Sequence, residues 1–145
     1  MIKVLIEVEA GSRDKKLYDE LTLEYKETRQ VSRPYPYSYG FILGTRGADG
    51  DSVDCYLITN DSPKSGAIFE CQPIGLLEQD EDGEIDHKVL AALPGQEVEI
   101  GQVLLQELRD FIYAVFAQYP DVGVLVGDIL PREAALHYIQ ECLEA

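Results

Sequence analysis

Three aspartates within six residues, Asp49, Asp51 and Asp54, sit in the run Asp-Gly-Asp-Ser-Val-Asp, which leads directly into an apolar stretch. Carboxylates spaced this closely repel one another unless a cation neutralises them. Their hard oxygens suit Mg²⁺, which takes a few such ligands and keeps several of its waters. Asp and Gly are also ordinary turn residues. On these six residues alone, a metal loop and a solvated turn stand level.

A second acidic stretch, Glu78 to Asp86 (EQDEDGEID), precedes an apolar run. It fails as an EF-hand loop, because glycine falls fourth from Asp80 instead of sixth and no glutamate closes the loop. Alone it reads as a solvated hairpin tip. Two acidic turns at one rim of a small sheet would, however, face each other and build a two-metal site for displacement at phosphorus. A third segment, Arg33 to Gly40 (RPYPYSYG), holds Tyr35, Tyr37 and Tyr39 on a backbone stiffened by Pro34 and Pro36. It is either an aromatic-proline surface loop or a set of phenol donors held over an anion. Lys15 and Lys16 follow a Gly-Ser turn and Lys88 lies two residues past Asp86, as phosphate ligands or as plain salt-bridge partners. His87 and His137 stand alone, and neither is assigned a ligand role.

The elements that must position these groups change period along the chain. Short apolar runs at 2–9, 53–59, 67–75 and 87–93 are separated by Gly, Asp, Pro and Ser clusters. That spacing predicts strands of a small antiparallel barrel or sandwich. From 102 to 119, Leu104, Leu108, Ile112, Val115 and Tyr119 recur at helical steps, and Pro120 stops the run. A second helix is expected from about Pro131 to Leu143. The expectation is one α+β domain over 1–145, mainly β, with two C-terminal helices.

Composition narrows the function. The 27 acidic residues against 12 basic ones give a net charge of −15, a surface that repels nucleic acid and anionic membranes. Cys55, Cys71 and Cys142 form no CxxC pair, so neither a zinc site nor a disulfide framework is expected. The chain opens on a strand-like run and holds no stretch of 18 apolar residues, so a cytoplasmic protein with no membrane span is expected.

Taken together, the segments IEVEAGSRDKKLYD (6–19), YPYSYGFI (35–42), DGDSVDCYLIT (49–59) and PIGLLEQDEDGEIDHK (73–88) resemble, in order, the soluble family I inorganic pyrophosphatases. The likeness covers residues 2–95 and continues more weakly to the C-terminus. It implies a five-stranded, OB-like closed barrel and hydrolysis of pyrophosphate to two phosphates. It also implies two or more Mg²⁺ ions, with Mn²⁺ or Zn²⁺ as substitutes, and a homo-oligomer of up to six copies. Carried over by position, Asp49, Asp54, Asp80 and Asp86 become metal ligands and Glu7 an acidic residue at the metal site. Asp51 becomes the carboxylate that accepts a proton from the attacking water. Lys15, Tyr39, Lys88 and Tyr119 become phosphate-binding residues.

The departures fall mostly on the phosphate side. A family glutamate is Leu17 here, a phosphate-binding arginine aligns with Glu27 (Lys26 or Arg29 being near), and a lysine after the helix tyrosine is Pro120. On the metal side Ser52 replaces the usual proline, and Asp86 is placed from Lys88 by allowing one extra residue in the GEIDHK turn. A charge-assisted hydrogen bond contributes roughly 1.5–3 kcal/mol. Losing two would cost on the order of a hundred- to ten-thousand-fold in turnover efficiency. The reading remains an enzyme, because five retained carboxylates have no use without a cation. The rival readings are a weak pyrophosphatase-like binding module and a hydrolase of a related phosphoanhydride.

Overall fold

The computed structural model describes residues 1–144. Strands β1 (Ile2–Val8), β4 (Ser38–Ile42), β5 (Asp54–Leu57), β6 (Ile68–Glu81) and β8 (Lys88–Ala92) pair in the circular order β1-β4-β5-β8-β6-β1. The ring closes because β6 is 14 residues long. Its first residues pair with β1, from Ile2↔Cys71 to Leu5↔Ile68, and its middle, Gln72 to Leu77, with β8. A closed ring leaves these strands no open edge. The mainly β domain with a five-stranded closed sheet and two helices is thus as expected.

Side chains alternate across the ring, and two apolar clusters follow from that alternation. Val4, Ile6, Cys55, Leu57, Cys71, Val89 and Ala91 pack on the face that α2 (Arg132–Cys142) covers with Ala135 and Ile139. Tyr39, Tyr56, Leu77 and Leu90 pack on the face that α1 (Gln102–Phe116) covers with Leu104, Leu105, Leu108 and Ile112. Close approach at the crossing of β1 and β4 requires Gly40, where a Cβ would lie 1.8 Å from the Leu5 carbonyl oxygen.

Four strands lay outside the sequence reading. The 33–40 segment becomes loop only to Tyr37, and Ser38–Ile42 is the fully buried β4, between β1 and β5. Strands β2 (Asp14–Tyr18) and β3 (Tyr25–Gln30) form a separate hairpin. Strand β9 (Val124–Leu130) adds to the far half of β6. The short β7 (Glu84–Ile85) returns from β6 through Asp82-Gly83, both at positive φ (55° and 86°). That is the two-residue hairpin turn Asp-Gly favours.

Candidate active site

The pleat decides which groups meet. Tyr39 pairs with Tyr56 and Tyr56 with Leu90, so Tyr39, Tyr56 and Leu90 share the α1 side of the ring. Asp54 and Lys88, each two residues before its strand's member of that row, share it as well. A cleft of about 360 Å³ opens there, lined by Lys15, Tyr35, Tyr39, Asp49, Asp51, Asp54, Tyr56, Gln79, Glu81, Asp86, Lys88 and Phe111 among others.

The loop carrying the first aspartates is built locally. Thr45 Oγ1, buried, donates to the Ile42 carbonyl at 2.7 Å and accepts the Val53 N–H at 3.0 Å. Asp49 Oδ1 accepts the Asp51 N–H at 3.0 Å, an Asx turn. Gly50 sits at φ 88°, where glycine has no steric cost. Val53 then enters the core and delivers Asp54 to the start of β5.

Lys88 is the electrostatic centre. It is 6% exposed, and its Nζ lies 2.7 Å from Asp54 and 3.0 Å from Asp86. Burial disfavours its charge, but the two carboxylates outweigh that and raise its pKa. Its Nζ and that of Lys15 lie 5.9 and 5.6 Å from the centre of the Tyr39 ring. Burial, with the Asp54 charge, pushes the Tyr39 phenol well above its usual value, so it stays a hydrogen-bond donor. Asp51 is raised by partial burial and by the charges of Asp49 and Glu20. Glu81 is pushed up to about 7, first by a hydrogen bond to Asp86 and then by burial. For Asp86, burial opposes ionisation, but the Glu81 bond and the Lys88 charge bring it below the usual value.

Glu7 lies on β1 at 8% exposure. Burial pushes its carboxyl up to about 7, Lys15 pulls it down, and Asp54 and Glu20 push it further up. This has a sign for stability. Between about pH 4.5 and 7 the folded state holds a proton that the unfolded state has released, so metal-free stability falls as pH rises through that window, by roughly 3 kcal/mol for this group. The Asp86 effect has the opposite sign and acts below the usual Asp value, outside the window. Glu81, also raised to about 7, acts in the same direction as Glu7. Calorimetric melting in a chelator should therefore give a higher Tm at pH 5 than at pH 8, and Glu7→Gln should reduce the difference without abolishing it. Equal slopes for the two proteins would rule out Glu7 as the source.

Two residues expected at the site are not brought to it. Asp80 is absent from the cleft lining; its Oδ1 instead accepts the Gly83 N–H at 2.6 Å and caps the hairpin turn. The extra residue allowed in the turn does not exist. Pairs Asp80↔Ile85 and Glu81↔Glu84 close tightly on Asp82-Gly83, and a one-residue shift in a strand moves each side chain to the opposite face. The cleft receives Glu81. Tyr119 is 59% exposed and also outside the lining. The helix ends at Phe116, so Tyr119 rides on the following turn, against the Phe116 edge. Lys15, Tyr39, Asp49, Asp51, Asp54, Asp86 and Lys88 are brought together, with Glu7 buried beside Lys15 and Asp54. Tyr35, one of the candidate phenol donors, also lines the cleft. Tyr56, Gln79 and Glu81 were missed; strand parity counted back from Lys88 through the Asp-Gly turn finds Glu81 and Gln79. Among the described residues, no three acidic groups yet surround a single point closely enough to hold an ion. They share a cleft, with the Lys88 ammonium placed between Asp54 and Asp86.

The inorganic pyrophosphatase family matches residues 4–145. The chain belongs to that family. An inorganic pyrophosphatase of Synechocystis is 32% identical over 154 residues, covering 99% of this chain and 90% of that protein. Another from Halalkalibacterium halodurans is 30% identical, covering 98% and 93%. Among solved structures, the inorganic pyrophosphatase of Thermus thermophilus superposes with a TM-score of 0.85 at 26% identity, over 97% of this chain and 87% of that one. Membership in the pyrophosphatase family accounts for an acidic cleft beside two lysines, an arrangement with no packing value of its own.

Proposed function

We propose that this chain hydrolyses inorganic pyrophosphate to two phosphates with Mg²⁺. The observation that carries the reading is the meeting of Asp49, Asp51, Asp54, Glu81 and Asp86 with Lys15 and Lys88 in one cleft of a pyrophosphatase-family fold. The donor set suits Mg²⁺, being oxygen throughout with no thiol or imidazole among the lining residues. Gln79 adds a buried Oε1 with no partner among the described residues, an acceptor still open to a hydrated cation. Asp49, Asp54, Glu81 and Asp86 would hold the metal, with Glu7 supporting from below. When bound, such ions lower the pKa of water and neutralise the leaving phosphate. Mn²⁺ or Zn²⁺ would substitute less well.

Asp51 takes the proton from the attacking water; its raised pKa keeps it basic enough to accept one. Lys15, Lys88 and the Tyr39 hydroxyl hold the phosphates. The family arginine missing at Glu27 is replaced two residues along the same strand. Arg29 is the direct cross-strand partner of Lys15 and shares its face, and it pairs with Glu27 at 2.9 Å. The acidic surface and the homo-oligomers usual in the family fit a cytoplasmic enzyme assembled from copies of itself.

Purified protein given pyrophosphate and Mg²⁺ should release phosphate, and EDTA should stop it. Binding of pyrophosphate without release would make the chain a binding module. Release only from other phosphoanhydrides would move the substrate.

A further inference from the structure

Proline has no backbone N–H, so the serine at 52, where the family usually has proline, brings a donor into the middle of the metal-binding loop. That donor is taken: the Ser52 N–H bonds Glu20 Oε1 at 2.8 Å. Glu20 comes from the turn between β2 and β3, far from this loop in sequence. The turn is closed on itself, because Asp19 Oδ1 accepts the N–H groups of Leu21 and Thr22, each at 2.9 Å. The Asp19 N–H also bonds the Glu24 carbonyl at 2.8 Å. A turn so fixed presents Glu20 at a set position.

The space behind the loop is open. A cavity of about 230 Å³ lies there, lined by Glu20, Leu23, Leu43, Arg46, Ser52 and Glu144. Packed side chains therefore do not set the loop on this side; polar tethers do. Arg46 is the second tether, bonding the Gly50 carbonyl and reaching Glu144 at 3.2 Å. The two tethers divide the loop. Arg46 holds the Asp49 end, and the Glu20 bond holds Ser52, next to the Val53 N–H that Thr45 Oγ1 holds.

Given the metal-dependent reading above, we infer that Glu20 is a positioning residue: by holding the Ser52 N–H, its carboxylate fixes the peptide between Asp51 and Ser52, as proline at position 52 would by its own ring. Nothing about Glu20 requires contact with metal or substrate. Its substitution acts through the loop, and its necessity depends on the residue at 52.

The test is calorimetric titration of Mg²⁺ into chelator-treated protein, with the metal-free Tm measured alongside. Wild type should bind Mg²⁺; if it does not, the proposed function fails and the inference falls with it. Given binding, Glu20→Ala should weaken it about tenfold, the low end for losing a group that orients a ligand. The metal-free Tm should hardly move, because Glu20 is solvent-exposed. Glu20→Gln keeps the acceptor oxygen and should stay close to wild type. In a Ser52→Pro background, Glu20→Ala should add no loss. Unchanged binding in Glu20→Ala overturns the inference. So does an equal loss in Glu20→Gln, which would make charge the cause, or an undiminished loss in the Ser52→Pro background. Should Ser52→Pro not fold, the Ala and Gln comparison decides alone.

Discussion

Asp51→Asn is expected to lower turnover of pyrophosphate about a thousandfold while leaving Mg²⁺ binding nearly intact. The magnitude is that of losing a positioned general base. The fold should not suffer, since Asp51 is exposed on its loop and its charge is opposed by Asp49 and Glu20. Asn is isosteric and keeps the backbone bonds of the loop. The acid limb of the kcat–pH profile should change with it, because the group that must be deprotonated is gone. Asp54→Asn is the control with a different signature. It removes a carboxylate 2.7 Å from Lys88, so both Mg²⁺ affinity and turnover should fall. If Asp51→Asn retains more than a tenth of wild-type kcat, Asp51 is not the base. Another carboxylate of the cleft would then have to take the proton.

The second large effect is expected at Lys88. Its ammonium is the counter-charge for Asp54 and Asp86 in the metal-free protein, and the pair is mostly shielded from water. Lys88→Met keeps the length and the apolar stem but leaves two carboxylates facing each other. Removing one partner of a buried ion pair costs about 3–5 kcal/mol, and the partial exposure of these carboxylates puts the expected loss near the lower figure. In a chain of this size that corresponds to a Tm lower by roughly 10 °C. Mg²⁺ should restore more stability to the variant than to wild type, because the ion supplies the missing positive charge. At a hundred times its Kd it contributes about 2.7 kcal/mol through binding alone. Turnover should remain low even with saturating Mg²⁺, since the proposed phosphate contact is gone. A metal-free Tm equal to wild type would show that the carboxylates find another partner. The cleft electrostatics described above would then be wrong.

Much of this protein was legible along the chain. The helices show because Leu104, Leu108 and Ile112 recur at one period and Pro120 limits the run. The Asp49–Asp54 loop shows because its chemistry is local: an Asx turn and a left-handed glycine are properties of four consecutive residues. Strands β1, β5 and β8 show because apolar runs between turn residues need no partner to be recognised. The Asp-Gly turn that places Glu81 is local as well, and strand parity through it sets which side chain faces the cleft.

Other features depend on contacts between distant residues. β4 follows a proline-tyrosine segment with no clear strand pattern and becomes a strand because β1 and β5 pair with it on both sides. Ring closure depends on one strand bridging two others, β1 along its first residues and β8 along its middle. Nothing in β6 alone announces that. Lys88 reads as an ordinary lysine beside an acidic turn until β5 brings Asp54 against it from 34 residues away. Glu20 meets the loop only because the hairpin folds it onto Ser52. The sequence by itself determined which residue types carry chemistry and the short elements that hold them, because those depend on neighbours along the chain. The tertiary structure decided which carboxylates share a cleft, that Asp80 and Tyr119 stand outside it, and what neutralises the charge there. Those are matters of pairing and register between distant strands, where a slip of one residue turns a ligand away from the site.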